Sequence, residues 1–169
     1  IIAAAASVLL DTGKAREAQG LLSLAVELRP EVSGYWFGLA RAQSALGEQL
    51  ESRKALEESV RLDPSSVQAN GALARMELAD GYEDKAFAII ERLKADNPED
   101  LAPLALEADL MTRVDRHAEA ARIYDRLFEA RPARRLAVNH YRASLRADLP
   151  NPQSNLQQWV QQNPSDDAA

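Results

Sequence analysis

Few side chains in this sequence offer chemistry to a site. There are two histidines, His117 and His140, and no cysteine. Without thiols there can be neither a disulfide framework nor a thiolate metal site, and the redox compartment stays open. His117 stands beside Asp115 and Glu119 and reads as a solvated residue at a helix start. His140 lies on a helix face where it either contacts a ligand or borders the contact surface. Gly13-Lys14 lacks the earlier glycine and the following Ser or Thr of a phosphate loop. The 26 acidic residues fall mainly at i, i+4 from Lys or Arg, which predicts solvated helix faces. No His/Cys/Asp/Glu group has metal-ligand spacing, so no metal, no cofactor and no catalytic residue is expected.

Arginine is what remains. Arg41, Arg75, Arg113 and Arg146 recur at related positions, and a guanidinium fork pairs well with carboxylates. Two readings stand at this point. They form a basic line for an acidic peptide or an anionic sugar polymer, or they pair internally with neighbouring Asp and Glu. The chain as a whole carries a net charge of −6, which argues against nucleic acid and anionic membrane as partners.

The elements that position these residues are set by glycine and proline. Gly13, Gly47 and Gly81 are 34 residues apart, as are Pro30, Pro64, Pro98 and Pro132. The two ladders are offset by 17, so a breaker falls every 17 residues. Such a segment, less a turn, is one helix of about four turns. The 34-residue repeats are 1–32, 33–66, 67–100, 101–134 and an irregular 135–166. Predicted helices cover 1–12, 15–29, 33–46, 48–62, 66–80, 82–96, 100–114, 116–130, 134–148 and 152–162, with no strand. None is long enough to span a membrane. The opening Ile1–Ala6 run predicts a first helix entered partway, so the chain reads as a segment of a longer repeat protein.

Places counted from the first residue of each repeat form columns. Place 8 holds Ala6, Ala40, Ala74 and Ala108, and place 20 holds Ala18, Ser52, Ala86 and Ala120. Small residues recurring on a helix imply close backbone approach. Place 24 holds Leu22, Leu56, Ile90 and Tyr124, all large, and place 27 holds Ala25, Ser59, Leu93 and Leu127. Places 20, 24 and 27 follow the i, i+4, i+7 rhythm of one helix face. A glycine at place 15 ends the first helix in the left-handed conformation, and Asp115 tolerates that role in the fourth repeat. Ser65-Ser66 and Glu99-Asp100 offer N-caps, and Pro103 fits a first helical turn. In the fifth repeat Arg142 falls in the small-residue column and Leu149-Pro150-Asn151-Pro152 replaces the glycine turn.

These columns resemble the tetratricopeptide repeat (TPR), and Trp36, Leu39, Ala40, Gly47, Ser52, Leu56, Ser59 and Pro64 follow its pattern most fully. The resemblance implies an all-α, right-handed α-solenoid of helical hairpins. It also implies a concave groove lined by first helices at places 2, 5, 9, 12 and 13. Those places and their neighbours give Phe37, Arg41, Ser44, Gln68, Gly71, Arg75, Leu78, Asp109, Thr112, Arg113, Asn139 and Arg146. Chaperone-tail TPR domains clamp a terminal carboxylate with lysine at place 5 and asparagine at place 9. Here place 5 holds Ala3, Phe37, Gly71, Ala105 and Asn139, and place 9 holds Ser7, Arg41, Arg75, Asp109 and Ala143, so that clamp is absent.

The runs Leu104–Leu110, Ala118–Tyr124, Ala137–Arg146 and Gln158–Ala169 resemble the later repeats of the TPR lipoprotein of bacterial PEP-CTERM/exosortase systems. That resemblance implies an envelope protein tied to exopolysaccharide production and protein sorting. The expected function is therefore a non-catalytic protein-binding scaffold whose groove takes a protein or peptide, acidic in character, or an anionic polysaccharide. A cytoplasmic adaptor or co-chaperone is the alternative.

Overall fold

Glycine turns every 34 residues leave segments of about four helical turns, and the computed structural model, described over residues 1–165, forms them all as α-helices. The end of the Gln158–Ala169 run, residues 166–169, lies outside the described residues. The chain divides into two compact units, residues 1–89 and 90–169.

The first unit contains α1 (Ile2–Asp11), α2 (Ala15–Leu28), α3 (Ser33–Ala45), α4 (Gln49–Leu62), α5 (Val67–Ala79) and the start of α6 (Glu83–Asp96). From α1 to α5 each helix packs on the next, and α1 also touches α3, so these two first helices lie side by side. The turn from α3 to α4 shows how this is achieved. Gly47 adopts φ +80°, and Glu48 N–H then donates to Gln43 O at 2.9 Å, closing the end of α3. The core is built from the repeat columns: Ala6, Ala18, Leu22, Leu39, Ala40 and Leu56 are buried, with Trp36 and Phe37 packed against them. Place 4 carries a recurrent polar tie. Trp36 Nε1 donates to Pro30 O at 2.7 Å, and Asn70 Nδ2 donates to Pro64 O at 2.9 Å. Each fastens a first helix to the proline turn before it.

The second unit contains the end of α6, then α7 (Leu101–Arg113), α8 (His117–Ala130), α9 (Arg134–Arg146) and α10 (Ser154–Gln162). Asp100 caps α7 by accepting from Ala102 N–H at 2.9 Å, as Ser66 caps α5 from Ala69 N–H at 3.3 Å. Ala108, Leu110, Ala120 and Phe128 are among its most buried side chains. Asp115 sits at φ +59° in the glycine's place.

The fifth repeat departs from the predicted frame. Three residues lead from each turn's start to the next first helix elsewhere, as in Pro98-Glu99-Asp100 before Leu101; only Pro132-Ala133 precede α9. The repeat therefore begins at Arg134, one residue early. Counted so, α9 spans places 1–13 as α7 does, and Asp148, at φ +51°, falls on place 15 where the glycines stand. Arg142 consequently moves out of the small-residue column to place 9. The second turn runs on through Asn151 at φ +54°, so α10 starts at Ser154 instead of 152 and is shorter than α8.

Candidate functional site

Each unit holds a sizeable cavity between consecutive first helices, and these two share a set of repeat places; a further pocket of about 460 Å³ lies at the Gly81–Lys85 turn. In the first unit the cavity is about 450 Å³. Arg41 and Ser44 from α3, Leu56 from α4, and Ala72, Arg75, Met76 and Ala79 from α5 line it. In the second it is about 710 Å³, lined by Asp109 and Thr112 from α7, Tyr124 from α8, and Asn139, Arg142, Ala143 and Arg146 from α9. In place terms both take 9, 12 and 24 from one repeat and 6, 9, 10 and 13 from the next. Helical periodicity explains this set, because 6, 9, 10 and 13 form one face of a helix. Place 24, the large column, makes the floor.

The two cavities differ in chemistry. The first is small and apolar apart from Arg41, Arg75 and two serines. Arg41 Nη2 lies 3.9 Å from Asp11 Oδ1, and both groups are well exposed, so this is a weak tether. The second is basic: Arg134, Arg135, Arg142 and Arg146 face a single acidic residue, Asp109. Asp109 is itself held by Arg113 Nε at 3.4 Å. Tyr124 is 6% exposed, and burial raises its phenol pKa against the opposing hydrogen bond from Thr112, so it stays neutral.

Of the residues expected in a groove, Arg41, Ser44 and Arg75 come together in the first unit, and Asp109, Asn139 and Arg146 in the second. Phe37 instead packs half-buried on the first core. Gln68 is exposed outside the cavity, and Leu78 is partly buried beside it. Arg113 serves as the partner of Asp109. Tyr124, Arg135 and Arg142 line the second cavity without standing at expected groove places. The one-residue frame shift hides the last two in the sequence, and the column of large residues assigns Tyr124 wholly to the core.

Both histidines need correction. His140 is not on the groove: it is 9% exposed, its Nε2 is 3.2 Å from Ser144 Oγ, and burial lowers its pKa. The corrected frame puts it at place 7, in the column of Leu39 and Leu73, which explains its burial. His117 is not a solvated turn residue: its side chain is 13% exposed, with Nε2 3.3 Å from Asp115 Oδ1. Nor are all carboxylates on solvated faces. Glu77 and Glu107 are largely buried and tie successive helices, to Arg53 and, at 3.0 Å, to Lys94. The hydrogen bond to Glu77 raises the Arg53 pKa. For Lys94, burial opposes the charge, but hydrogen bonds to Glu91 and Glu107 carry its pKa up. Among the described residues no group of His, Cys, Asp and Glu could hold a metal ion, and no helix is long and apolar enough to cross a membrane.

No family model matches the chain. Among solved structures, a thermophilic TPR protein of Thermus thermophilus superposes with a TM-score of 0.74 at 15% identity, over 98% of this chain and 91% of that one. YrrB, a TPR protein with an unusual peptide-binding site, gives a TM-score of 0.58 at 13% identity, over 95% and 84%. The peroxisomal targeting signal receptor of Saccharomyces cerevisiae is 30% identical over 86 residues, half of this chain. That stretch spans only 14% of the receptor's length. The all-helical architecture is thus the TPR helical-hairpin fold.

Proposed function

We propose that this chain is a non-catalytic scaffold that binds segments of other proteins in the cavities between its consecutive first helices. One observation carries the reading: two cavities, in separate units, are assembled from the same repeat places. A pocket formed by chance would not repeat at 6, 9, 10 and 13. The peptide-binding site of YrrB and the targeting-signal receptor of yeast lend the reading support from similar folds. A photo-cross-linking residue placed at Ser44 or Arg146 tests it against a displayed peptide library. Retained peptides should be labelled from those positions and not from Glu57 or Arg126, which line neither cavity. Equal labelling from all four positions refutes the reading.

The proposal extends to location. The runs Leu104–Leu110 and Ala118–Tyr124 resemble an envelope lipoprotein of PEP-CTERM/exosortase systems, and we assign the chain to an envelope scaffold serving exopolysaccharide production or protein sorting. Fractionation of the native cell tests this part alone. Recovery of the protein wholly in the cytosol sinks the envelope assignment, favours a cytoplasmic adaptor, and leaves the scaffold reading intact.

A further inference from the structure

We infer that the cavity of the second unit recognises an extended acidic peptide that sets carboxylates two residues apart, i and i+2, against Arg142 and Arg146. The inference rests on the scaffold reading and names the partner of one of its two sites. Arg135, Arg142 and Arg146 are all exposed on α9, and among the described residues none of them has an ion pair or side-chain hydrogen bond. They stand at i, i+7 and i+11, within one narrow stripe of the helix. At 1.5 Å per residue they are about 10 Å and then about 6 Å apart along the axis. An extended peptide advances about 3.3 Å per residue and its side chains alternate faces, so residues two apart present carboxylates to one side at about 7 Å, which matches the Arg142–Arg146 step. The match places one carboxylate against each of the Arg142 and Arg146 guanidiniums, where a bidentate pair is the favoured geometry, and Arg135 extends the positive stripe beyond them.

Alternative anions fit less well. A free phosphate is too small: Arg135 and Arg146 are about 16 Å apart along the helix axis, so it would engage one end of the stripe only. An anionic sugar polymer would meet the same arginines but find no stacking face, because the lining ring, Tyr124, is 6% exposed. Asn139, partly buried in the same lining, offers both a donor and an acceptor to a peptide backbone. The single acidic lining group, Asp109, is paired with Arg113, so positive charge predominates in the lining.

The test uses the full chain and a fluorescein-labelled ten-residue Gly/Ser peptide with Glu at positions 5 and 7. Its reversed sequence is run beside it, and both are repeated with Gln in place of Glu. Anisotropy titration should show the Glu peptide, in one of the two directions, binding at least about tenfold tighter than its Gln form. That preference should shrink as salt rises. R142Q/R146Q should cost about tenfold with helicity unchanged by circular dichroism, while R142K/R146K should recover only part of the loss. Equal binding of Glu and Gln peptides to the unmodified chain overturns the inference without depending on any variant. So does an anionic oligosaccharide of equal charge that displaces the Glu peptide and binds tenfold tighter. If library peptides label from Arg146 but show no acidic enrichment, the inference falls and the scaffold reading stands. If none labels from either cavity, the scaffold reading falls as well.

Discussion

Gly47→Ala isolates what the glycine ladder contributes. Gly47 sits at φ +80°, and a Cβ added there would find no heavy atom within 4 Å. The substitution therefore carries no steric cost against neighbours, and only backbone terms remain. An L-residue in the left-handed region costs about 1–2 kcal/mol. The unfolded chain, having lost glycine's freedom, offsets about 0.4–1 kcal/mol of that. A net loss of about 1 kcal/mol follows. With a urea slope of about 1–1.5 kcal/mol/M for a unit of this size, the midpoint should fall by roughly 0.7–1 M. Hydrogen exchange should accelerate at the Glu48 amide, whose bond to Gln43 O depends on the turn. A D-alanine at the same position reverses the sign, because its mirror-image preference suits positive φ; it should stabilise by about 0.4–1 kcal/mol. An unchanged midpoint for the L-variant refutes the account, and so does D-alanine destabilising as much as L-alanine.

Other predictions follow from the charged and buried groups. His140 has its pKa lowered by burial, so its contribution is present above about pH 6.5 and is lost as pH falls through the folded value. Urea midpoints at pH 7.5 and 5.5 should fall further apart for the wild type than for His140→Gln; equal gaps contradict this. Glu77→Ala strips Arg53, whose side chain is 23% exposed, of its main partner and should cost about 1–3 kcal/mol. In a double-mutant cycle with Arg53→Met the two losses should not add. Asp109→Asn removes the one acidic lining group and frees Arg113, so Glu-peptide affinity should rise about two- to fivefold while stability moves by less than about 0.5 kcal/mol.

Most of the fold was legible because it is written in residues whose role is local. Glycine and proline act on their own backbone, so Gly13, Gly47 and Gly81 marked their turns directly, and Asp115 could be read as their substitute. Burial columns were equally plain: Ala40, Ala74 and Ala108 are all at most 1% exposed, as small residues at a close approach must be. Interhelix polar ties were not legible. Arg53 meets Glu77 from 24 residues away and Lys94 meets Glu107 from 13, while local spacing offered each of those charges a solvated alternative. The burial of His140 failed for a different reason, the assumed repeat frame.

That frame matters beyond the histidine. On a helix each residue turns the side chain by about 100°, so a one-residue change in where a repeat starts redirects every side chain on it. With the period held at 34, place 9 of α9 is Ala143, and the stripe facing the second cavity is a mixture. With the connection shortened to Pro132-Ala133, place 9 is Arg142, equivalent to Arg41 and Arg75, and Arg135 and Arg146 join it. The basic cavity is therefore a product of the shortened connection as much as of arginine content. Inserting one residue between Ala133 and Arg134 tests this directly. If the turn absorbs the insertion, α9 keeps its face and the Glu peptide still binds. If the insertion instead lengthens the helix at its start and the core holds α9 in the old frame, binding is again kept. Loss of binding with retained helicity requires the two-residue connection to persist with the inserted residue at place 1, which turns Arg142 to place 10. That outcome would turn the buried Ala137, Ala143 and Ser144 off the core face, so it should come with a stability loss of about 1–3 kcal/mol. Loss of binding with no stability change would refute the assignment of Arg142 to place 9.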